Sequence, residues 1–301
     1  ALLKSGHDLG PLHGIPYAVK DLYDIVGLPT TAGSRTVEMT PKTEESEVTK
    51  RLAAAGMVVL GKTITVEFAK GIVGINNIQG TPHNPWAETH HVPGGSSAGT
   101  AVAVASGMAP MGLGTDTAGS VRAPAGLCGT VGLKSTAGRI SRFGIFPLSW
   151  TFDSVGPLTR SVEDAALVYQ ILQGEDPRDE ITMCIRPEDA LRDLKGGAKG
   201  LRIGIPQNAF FDGVDGEVDK AVRAAAEVFR ELGATVEEIE YPEASEAAAM
   251  AMVINGVEAA VIHEGRLEAK VDEMDPVVGP RMLGERDFLA TDYVKQTKAL
   301  K

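Results

Sequence analysis

Residues 96–117, SSAGTAVAVASGMAPMGLGTDT, decide the fold because they hold one helix and the strand that follows it. Two serines, which favour helix N-termini, precede an alanine and valine run, so SSAGTAVAVASG predicts a helix opened by serine caps. The next segment, APMGLGTDT, is short and apolar and predicts a buried strand. A helix that leads into a short buried strand is the unit from which layered α/β folds are built.

The same unit recurs upstream of this stretch. EESEVTKRLAAAG, residues 44–56, has apolar residues at helical spacing and a glycine stop, which predicts a helix. MVVLGKT, residues 57–63, follows it and predicts a second short buried strand. GIPYAVKDLYDIVG, residues 14–27, predicts a strand with Lys20 at or near its end.

The unit also recurs downstream. SVEDAALVYQILQG, residues 161–174, predicts a helix that Ser161 caps, with acidic residues in the first turn near the positive end of the helix dipole. Four more elements are predicted: a strand in LRIGIP (201–206), a long helix that ends at Gly233, a strand in ATVEEIEY (234–241) and mostly helix over 244–269. Alternating helices and short apolar strands predict an α/β fold with a largely parallel sheet.

The composition limits the classes of partner. The chain of 301 residues has a net charge of −11, and no run of lysine and arginine is longer than two, so we expect no direct nucleic-acid binding. Its start, ALLKSGHDLG, lacks the apolar core of a signal peptide, and no stretch approaches 18 uninterrupted apolar residues. We therefore expect a cytoplasmic protein with no membrane partner; because the chain does not begin with Met, it is compatible with a trimmed or partial protein.

The cysteines and histidines predict no metal site. Cys128 and Cys184 form no CxxC or Cys/His spacing, so neither zinc nor a disulfide framework is expected, which fits a reducing compartment. Among the six histidines, the pair His90–His91 lies in a proline-flanked loop, where successive side chains diverge, and a surface or structural role is the more ordinary interpretation.

Three segments contain candidate catalytic side chains. Ser120 follows a glycine between a predicted strand and helix, where a hydroxyl is exposed and backbone N–H groups can bind an oxyanion. Ser96 and Ser97 lie in GGSSAGT, which alone resembles a phosphate-binding loop but lacks the lysine of GxxxxGK[ST] and the GxGxxG spacing. Lys20 lies in an apolar strand, where burial favours the neutral amine that a general base requires.

Each segment taken alone has an ordinary explanation. Ser120 is most simply a helix cap, and Lys20 is most simply a surface cation or a partner of Asp21 or Asp116. Together, however, GIPYAVKD, GGSSAGT and GLGTDTAGSVRAPAGLCGTVGLKST resemble the amidase signature family almost end to end. GKTITVEF, GTPHNPW and GRISRFGIFPLSWTFDSVGPLTRSVEDAALV also match, and the matches span nearly the whole chain.

The resemblance implies a fold and a domain organisation. It implies an α/β amidase signature fold, with a central twisted mixed, largely parallel sheet covered by helices on both faces. Residues 1–301 are then expected to form a single amidase domain that lacks the N-terminal and C-terminal portions usual in the family.

The resemblance also implies a Ser–cis-Ser–Lys triad. Ser120 matches the nucleophile, Lys20 the general base and Ser96 the bridging serine, which the family holds after a cis peptide bond, here Gly95–Ser96. The remaining expected site residues are the oxyanion-hole N–H groups of Thr117, Ala118, Gly119 and Ser120 and the supporting residues Gly95, Ser97, Asp116 and Arg122. Ala118 stands where many members have glycine.

The implied activity is hydrolysis of a carboxylic amide through an acyl-enzyme on Ser120, with no metal or organic cofactor. The expected partner is a small-molecule amide, and a homodimer is left open. Two alternatives use the same triad: the glutaminase component of a tRNA-dependent amidotransferase, which releases ammonia from glutamine, and an esterase or carbamate hydrolase. Residues 70–80 and 143–150 suit a hydrophobic or aryl amide, although core packing explains most of their apolar side chains equally well.

Overall fold

A computed structural model of the protein describes residues 3–300. Its contacts divide the chain into two compact units. The first contains the residues up to Leu191 together with Asn255–Leu289, and the second contains Arg192–Ile254 with the residues from Ala290 onward. All ten expected site residues lie in the first unit. The single-domain expectation for residues 1–301 stays a prediction.

The first unit is built on a mixed five-stranded sheet. Its strands are β1 (Pro16–Lys20), β2 (Val58–Thr63), β3 (Met111–Asp116), β4 (Val131–Gly132) and β5 (Ser154–Thr159), in the order β2-β1-β3-β5-β4. β1 pairs in parallel with β2 and β3, whereas β5 pairs antiparallel with β3 and β4. Every residue of β3 and β5 is buried, so both faces of the sheet are covered along these strands.

Helices pack around this sheet. They are α1 (Glu47–Ala54), α2 (Ala98–Ala105), α3 (Arg122–Cys128), α4 (Val162–Leu172), α7 (Glu264–Ala269) and α8 (Val278–Glu285). Ser161 caps α4 as expected, since its hydroxyl accepts the Asp164 N–H at 3.1 Å. Ser97 occupies the N-cap position of α2 but makes no capping hydrogen bond, so the serine-cap prediction is wrong for this helix.

The second unit is a smaller α/β arrangement. β6 (Arg202–Pro206) and β7 (Thr235–Ile239) pair in parallel, and α5 (Gly216–Glu231) connects them. Asp215 caps α5 through the Glu217 N–H at 2.8 Å. α5 ends at Glu231, two residues before the Gly233 stop that the sequence predicts. α9 (Ala290–Ala299) also belongs to this unit.

The longest described helix, α6 (Ala244–Ile262), begins in the second unit and ends in the first. By length and composition alone α6 could cross a membrane, but the core helix of a water-soluble fold meets the same criterion, so this is weak evidence. Glu258 in α6 is fully buried and accepts hydrogen bonds from Ser149 and Thr151, which is the behaviour of a helix packed inside a protein.

The α/β class and the mixed sheet are confirmed, with three of the five strand pairings parallel. The buried assignment of MVVLGKT is wrong, because β2 is an edge strand that exposes Val58 by 52% and Leu60 by 57%. β5 was not expected as a strand, since Gly156 and Pro157 interrupt its apolar pattern.

Candidate active site

The parallel pairing of β1 and β3 brings Lys20 beside the nucleophile segment. Lys20 is the last residue of β1, and its side chain is fully buried. Its Nζ donates to Ser96 Oγ at 2.7 Å and to Thr115 Oγ1, on β3, at 2.8 Å. The amine therefore lies between two hydroxyl oxygens at the carboxyl end of adjacent strands.

Burial changes the acidity of this amine. Desolvation lowers the pKa of Lys20 from 10.5 to about 7, although the nearby Asp153 and Asp116 carboxylates oppose the shift. Roughly half of such a group is neutral at pH 7, whereas an ordinary lysine is almost fully charged there. Lys20 therefore has the proton affinity of a general base that works near neutral pH.

Ser96 follows a cis peptide bond, as the family resemblance implies for Gly95–Ser96. Ser96 is fully buried, and its carbonyl accepts hydrogen bonds from Val66 N at 3.2 Å and Thr65 Oγ1 at 3.0 Å. Gly95 has no room for a side chain, because a Cβ there would lie 2.8 Å from the backbone of Gly74. The position of the Ser96 hydroxyl is thus fixed by backbone contacts on both sides.

Ser97 connects the serine pair to the neighbouring segments. Its Oγ lies 3.3 Å from both the N–H and the carbonyl oxygen of Thr115, and its own N–H donates to the Ser120 carbonyl at 3.2 Å. The hydroxyl that fails to cap α2 therefore holds β3 against the serine pair. This contact accounts for the supporting position expected for Ser97.

Asp116 organises the turn that carries Ser120. Its carboxylate accepts the N–H groups of Gly119 at 2.7 Å and Val121 at 3.2 Å, and Arg122 pairs with it through Nε and Nη2, each at 3.0 Å. Burial alone would raise the pKa of Asp116, but the Arg122 hydrogen bonds outweigh it and hold that pKa below its usual range. A permanently ionised Asp116 thus fixes the turn over residues 117–121.

The two serine side chains are near one another but are not hydrogen-bonded. In the part of the chain that the structure describes, Ser96 Oγ accepts from Lys20, and no hydrogen bond joins it to Ser120 Oγ. Ser120 is 6% exposed and lines a cavity of about 120 Å³. Catalytic hydrogen bonds are often long in unliganded sites, so this geometry leaves the second step of the relay a prediction.

The expected oxyanion hole loses one donor. The N–H of Gly119 is engaged by Asp116, and it is therefore unavailable to an oxyanion. Within residues 3–300, the N–H groups of Thr117, Ala118 and Ser120 donate to no other group, and all three residues line the cavity that contains Ser120.

The same cavity has a polar side that the motifs did not indicate. Lys70, Asn255 and Arg281 line it, the last two from the distant helices α6 and α8. Lys70 is buried and forms an ion pair with Glu285 at 2.8 Å, whereas Arg281 approaches Glu285 only through Nε, at 3.4 Å. Their convergence depends on chain folding, and no local sequence signal could have found it.

A second cavity of about 220 Å³ lies beside the first, and the two share Ala69 and Leu148 in their linings. Residues 143–150 supply much of its apolar lining, and Thr115 and Asp153 contribute polar groups. The two segments expected to contact substrate thus reach both cavities, since residues 70–72 line the first. No group of three or more candidate metal ligands occurs among the described residues.

Comparisons with known proteins agree on one family. The sequence profile of the Amidase family matches residues 1–286. The glutaminase-type subunit of the glutamyl-tRNA(Gln) amidotransferase of Anaeromyxobacter sp. (strain K) is 46% identical over 238 residues, which cover 79% of this chain and 48% of that protein. The 2-amino-5-chloromuconic acid deaminase of Comamonas testosteroni is 40% identical over 304 residues, covering 99% of this chain and 63% of the deaminase.

A solved structure is also closely similar. It comes from a vestigial protein complex that reveals the evolutionary origins of an s-triazine catabolic enzyme, and it matches with a TM-score of 0.94 at 38% identity. The match covers 99% of this chain and 64% of that one. The chain spans about half the length of the amidotransferase subunits that it matches.

Proposed function

The chain belongs to the amidase signature family, and on that premise we propose that it hydrolyses a carboxylic amide through an acyl-enzyme on Ser120. The observation that carries the proposal is the 2.7 Å hydrogen bond from the buried Lys20 amine to Ser96 Oγ. A lysine whose pKa falls to about 7 can hold the neutral form that a proton relay requires.

The proposed mechanism moves one proton along the triad. Neutral Lys20 accepts a proton from Ser96, Ser96 accepts one from Ser120, and Ser120 Oγ attacks the amide carbonyl. The N–H groups of Thr117, Ala118 and Ser120 stabilise the oxyanion, and removal of one such donor costs about 3 kcal/mol. The proton returns through Ser96 to the leaving nitrogen, and water then releases the acid from Ser120.

The supporting roles follow from the contacts already described. We assign Gly95 to the space that the Ser96 backbone needs, and Ser97 to the junction with β3. Asp116 and Arg122 hold the nucleophile turn through their hydrogen bonds to each other and to the backbone. No metal or organic cofactor enters the proposed reaction.

The cavity that contains Ser120 supports a substrate that carries a carboxylate. Glu285 pairs with Lys70, and Arg281 touches Glu285 only through Nε, so no other described residue pairs with the rest of its guanidinium. A guanidinium in such a position suits a carboxylate, which it binds with two parallel hydrogen bonds. We therefore propose an amide with a carboxylate at one end, in place of a purely hydrophobic aryl amide.

The amidotransferase alternative meets the same requirement, because glutamine is an amide that carries a carboxylate. Its support is the identity to the amidotransferase subunits. In that case nucleic acid would be contacted through a partner protein, since this chain is acidic. Ester or carbamate cleavage remains available to the same triad. The cytoplasm is the proposed location, supported by the free thiols of Cys128 and Cys184.

A substrate panel tests the proposal. Glutamine and other carboxylate-bearing amides are compared with their methyl esters, and with aryl amides, simple esters and carbamates, with Ser120→Ala as the inactive control. Arg281→Ala should lower kcat/KM for the charged amides about 10- to 100-fold and leave neutral amides nearly unchanged.

Arg286→Ala is the matched control, because Arg286 pairs with Glu268 and does not line the cavity. It should leave both substrate classes unaffected. Equal losses on charged and neutral amides in Arg281→Ala would refute carboxylate recognition. Activity that survives in Ser120→Ala would refute the acyl-enzyme.

A further inference from the structure

Asp153 lies outside the proposed triad and joins two parts of the site. It precedes β5, and its carboxylate accepts hydrogen bonds from Thr117 Oγ1 at 2.5 Å, Leu148 N at 2.8 Å and Ser149 N at 2.9 Å. Thr117 belongs to the proposed oxyanion turn, and Leu148 lines both cavities. One carboxylate therefore fixes the oxyanion turn relative to a wall of the substrate cavity.

Asp153 is also close enough to act on Lys20. It lines the same cavity as Thr115, the second partner of the Lys20 amine. Of the two acids that raise the pKa of Lys20, Asp153 has the larger effect, and Asp116 has the smaller one. Asp116 is already neutralised by its pair with Arg122, so Asp153 is the acid whose charge the site has left less compensated.

The surroundings of Asp153 contain other charges. Burial raises the pKa of Asp153, while the bonds from Thr117, Leu148 and Ser149 and the charge of Arg142 oppose that shift. Arg142 is itself paired with Asp179 at 3.0 Å, and Arg178 also lines the cavity.

We propose that Asp153 is a positioning residue for amide hydrolysis, which holds the Thr117 turn in place and sets the charge balance at Lys20. The inference rests on the proposed function. Asp153 does not line the cavity that contains Ser120, and it acts through Thr117 and Lys20 rather than on the substrate.

Two variants separate the two effects. Asp153→Asn keeps an oxygen that accepts hydrogen bonds but removes the charge, so the acidic midpoint of the kcat/KM–pH profile should move at least half a unit below that of the wild type. Thr117→Val keeps the charge but removes the hydroxyl, so kcat should fall about tenfold with an unchanged midpoint. Thr117→Ser restores the hydroxyl and should restore kcat.

Asp179→Asn is the matched control, since Asp179 lines the same cavity but is not among the charges that act on Lys20. Its midpoint should equal that of the wild type. The Lys20 pKa is also read directly from lysine ¹³Cε NMR, with the signal assigned by its absence in Lys20→Met, and thermal unfolding checks that each variant is folded.

The NMR titration keeps this proposal distinct from the proposed function. An inactive wild type would refute the proposed function, while a lower Lys20 pKa in Asp153→Asn would still support the charge effect. An unchanged Lys20 pKa in folded Asp153→Asn, or full kcat in Thr117→Val, would overturn the positioning role.

Discussion

At the scale of single residues, the site depends on a lysine that the fold has buried completely. Desolvation makes the charged form of Lys20 expensive, and two hydroxyl oxygens accept the hydrogen bonds of its amine. A lysine at the surface would stay protonated to above pH 10 and could not accept a proton at neutral pH. The burial of one amine is therefore the step that converts a structural strand into a catalytic one.

The pH dependence of activity should report this amine. Since only neutral Lys20 accepts a proton, kcat/KM should fall about tenfold per pH unit below a midpoint near 7 and level off above it. Lys20→Met should reduce kcat at least 1,000-fold, an order-of-magnitude estimate for a triad member. Steady-state rates between pH 5.5 and 9 provide the measurement.

Lys62→Met is the control for this experiment, because Lys62 pairs with Asp21 at 3.0 Å and, among the described residues, forms no hydrogen bond with Ser96. It should retain the wild-type midpoint. A wild-type midpoint above pH 9 would show that Lys20 is an ordinary lysine and would remove it as the base.

Stability should depend on pH through the same residue. The folded-state pKa of Lys20 lies near 7 and its unfolded value near 10.5, so the unfolded chain binds more protons between these values. The Lys20 contribution to the free energy of unfolding should therefore rise as the pH increases from 7 to 10.5. Urea unfolding of wild type and Lys20→Met at pH 7 and pH 9.5 tests this: the wild type should gain stability relative to the variant at the higher pH.

At the scale of elements, the ends of helices differ in what holds them. Ser161 caps α4 with a side-chain hydrogen bond, whereas the α2 N-cap serine, Ser97, uses its hydroxyl on β3 instead. The same residue type thus stabilises a helix in one place and joins the active-site segments in the other.

Removal of the α4 cap should have a modest, local cost. Ser161→Ala leaves the Asp164 N–H without its acceptor and should lower the free energy of unfolding by about 1 kcal/mol. Ser106→Ala, at an exposed serine after α2 whose side chain makes no hydrogen bond among the described residues, should change it by less than about 0.5 kcal/mol. Chemical denaturation measures both, and equal effects would show that the cap is unimportant.

The elements also show what sequence can predict. α1, α2, α4, α5 and the strands β1 and β3 follow from local periodicity, which the chain carries within each segment. The exposure of β2 depends on which strand lies beyond it in space, and β5 is hidden by Gly156 and Pro157. Long motifs identified Lys20, Ser96 and Ser120, but Thr115, Asp153 and Arg281 reach the site only through folding.

At the scale of the whole molecule, burial is distributed unevenly among the sheets. β3 and β5 are buried along their full length, whereas β7 is mostly exposed and β6 is at best half-buried. The chain places its candidate active site at the end of the best-protected strands, where the catalytic residues move least.

Hydrogen exchange should follow this distribution. Amides of β3 and β5 should exchange at least 100-fold more slowly than those of β6 and β7, because local opening exposes far more buried surface in the first sheet. Hydrogen–deuterium exchange with mass spectrometry measures the rates peptide by peptide. Equal protection in the two sheets would contradict the prediction.

The wall between the two cavities has a consequence for enzyme engineering. Leu148 lines both spaces, and the bonds that hold its backbone to Asp153 use its main-chain N–H rather than its side chain. Trimming this one side chain would therefore join the compartments while the anchoring of the loop persisted. Substrate scope is then controlled by a partition that a library can vary at a single codon, separately from the catalytic machinery.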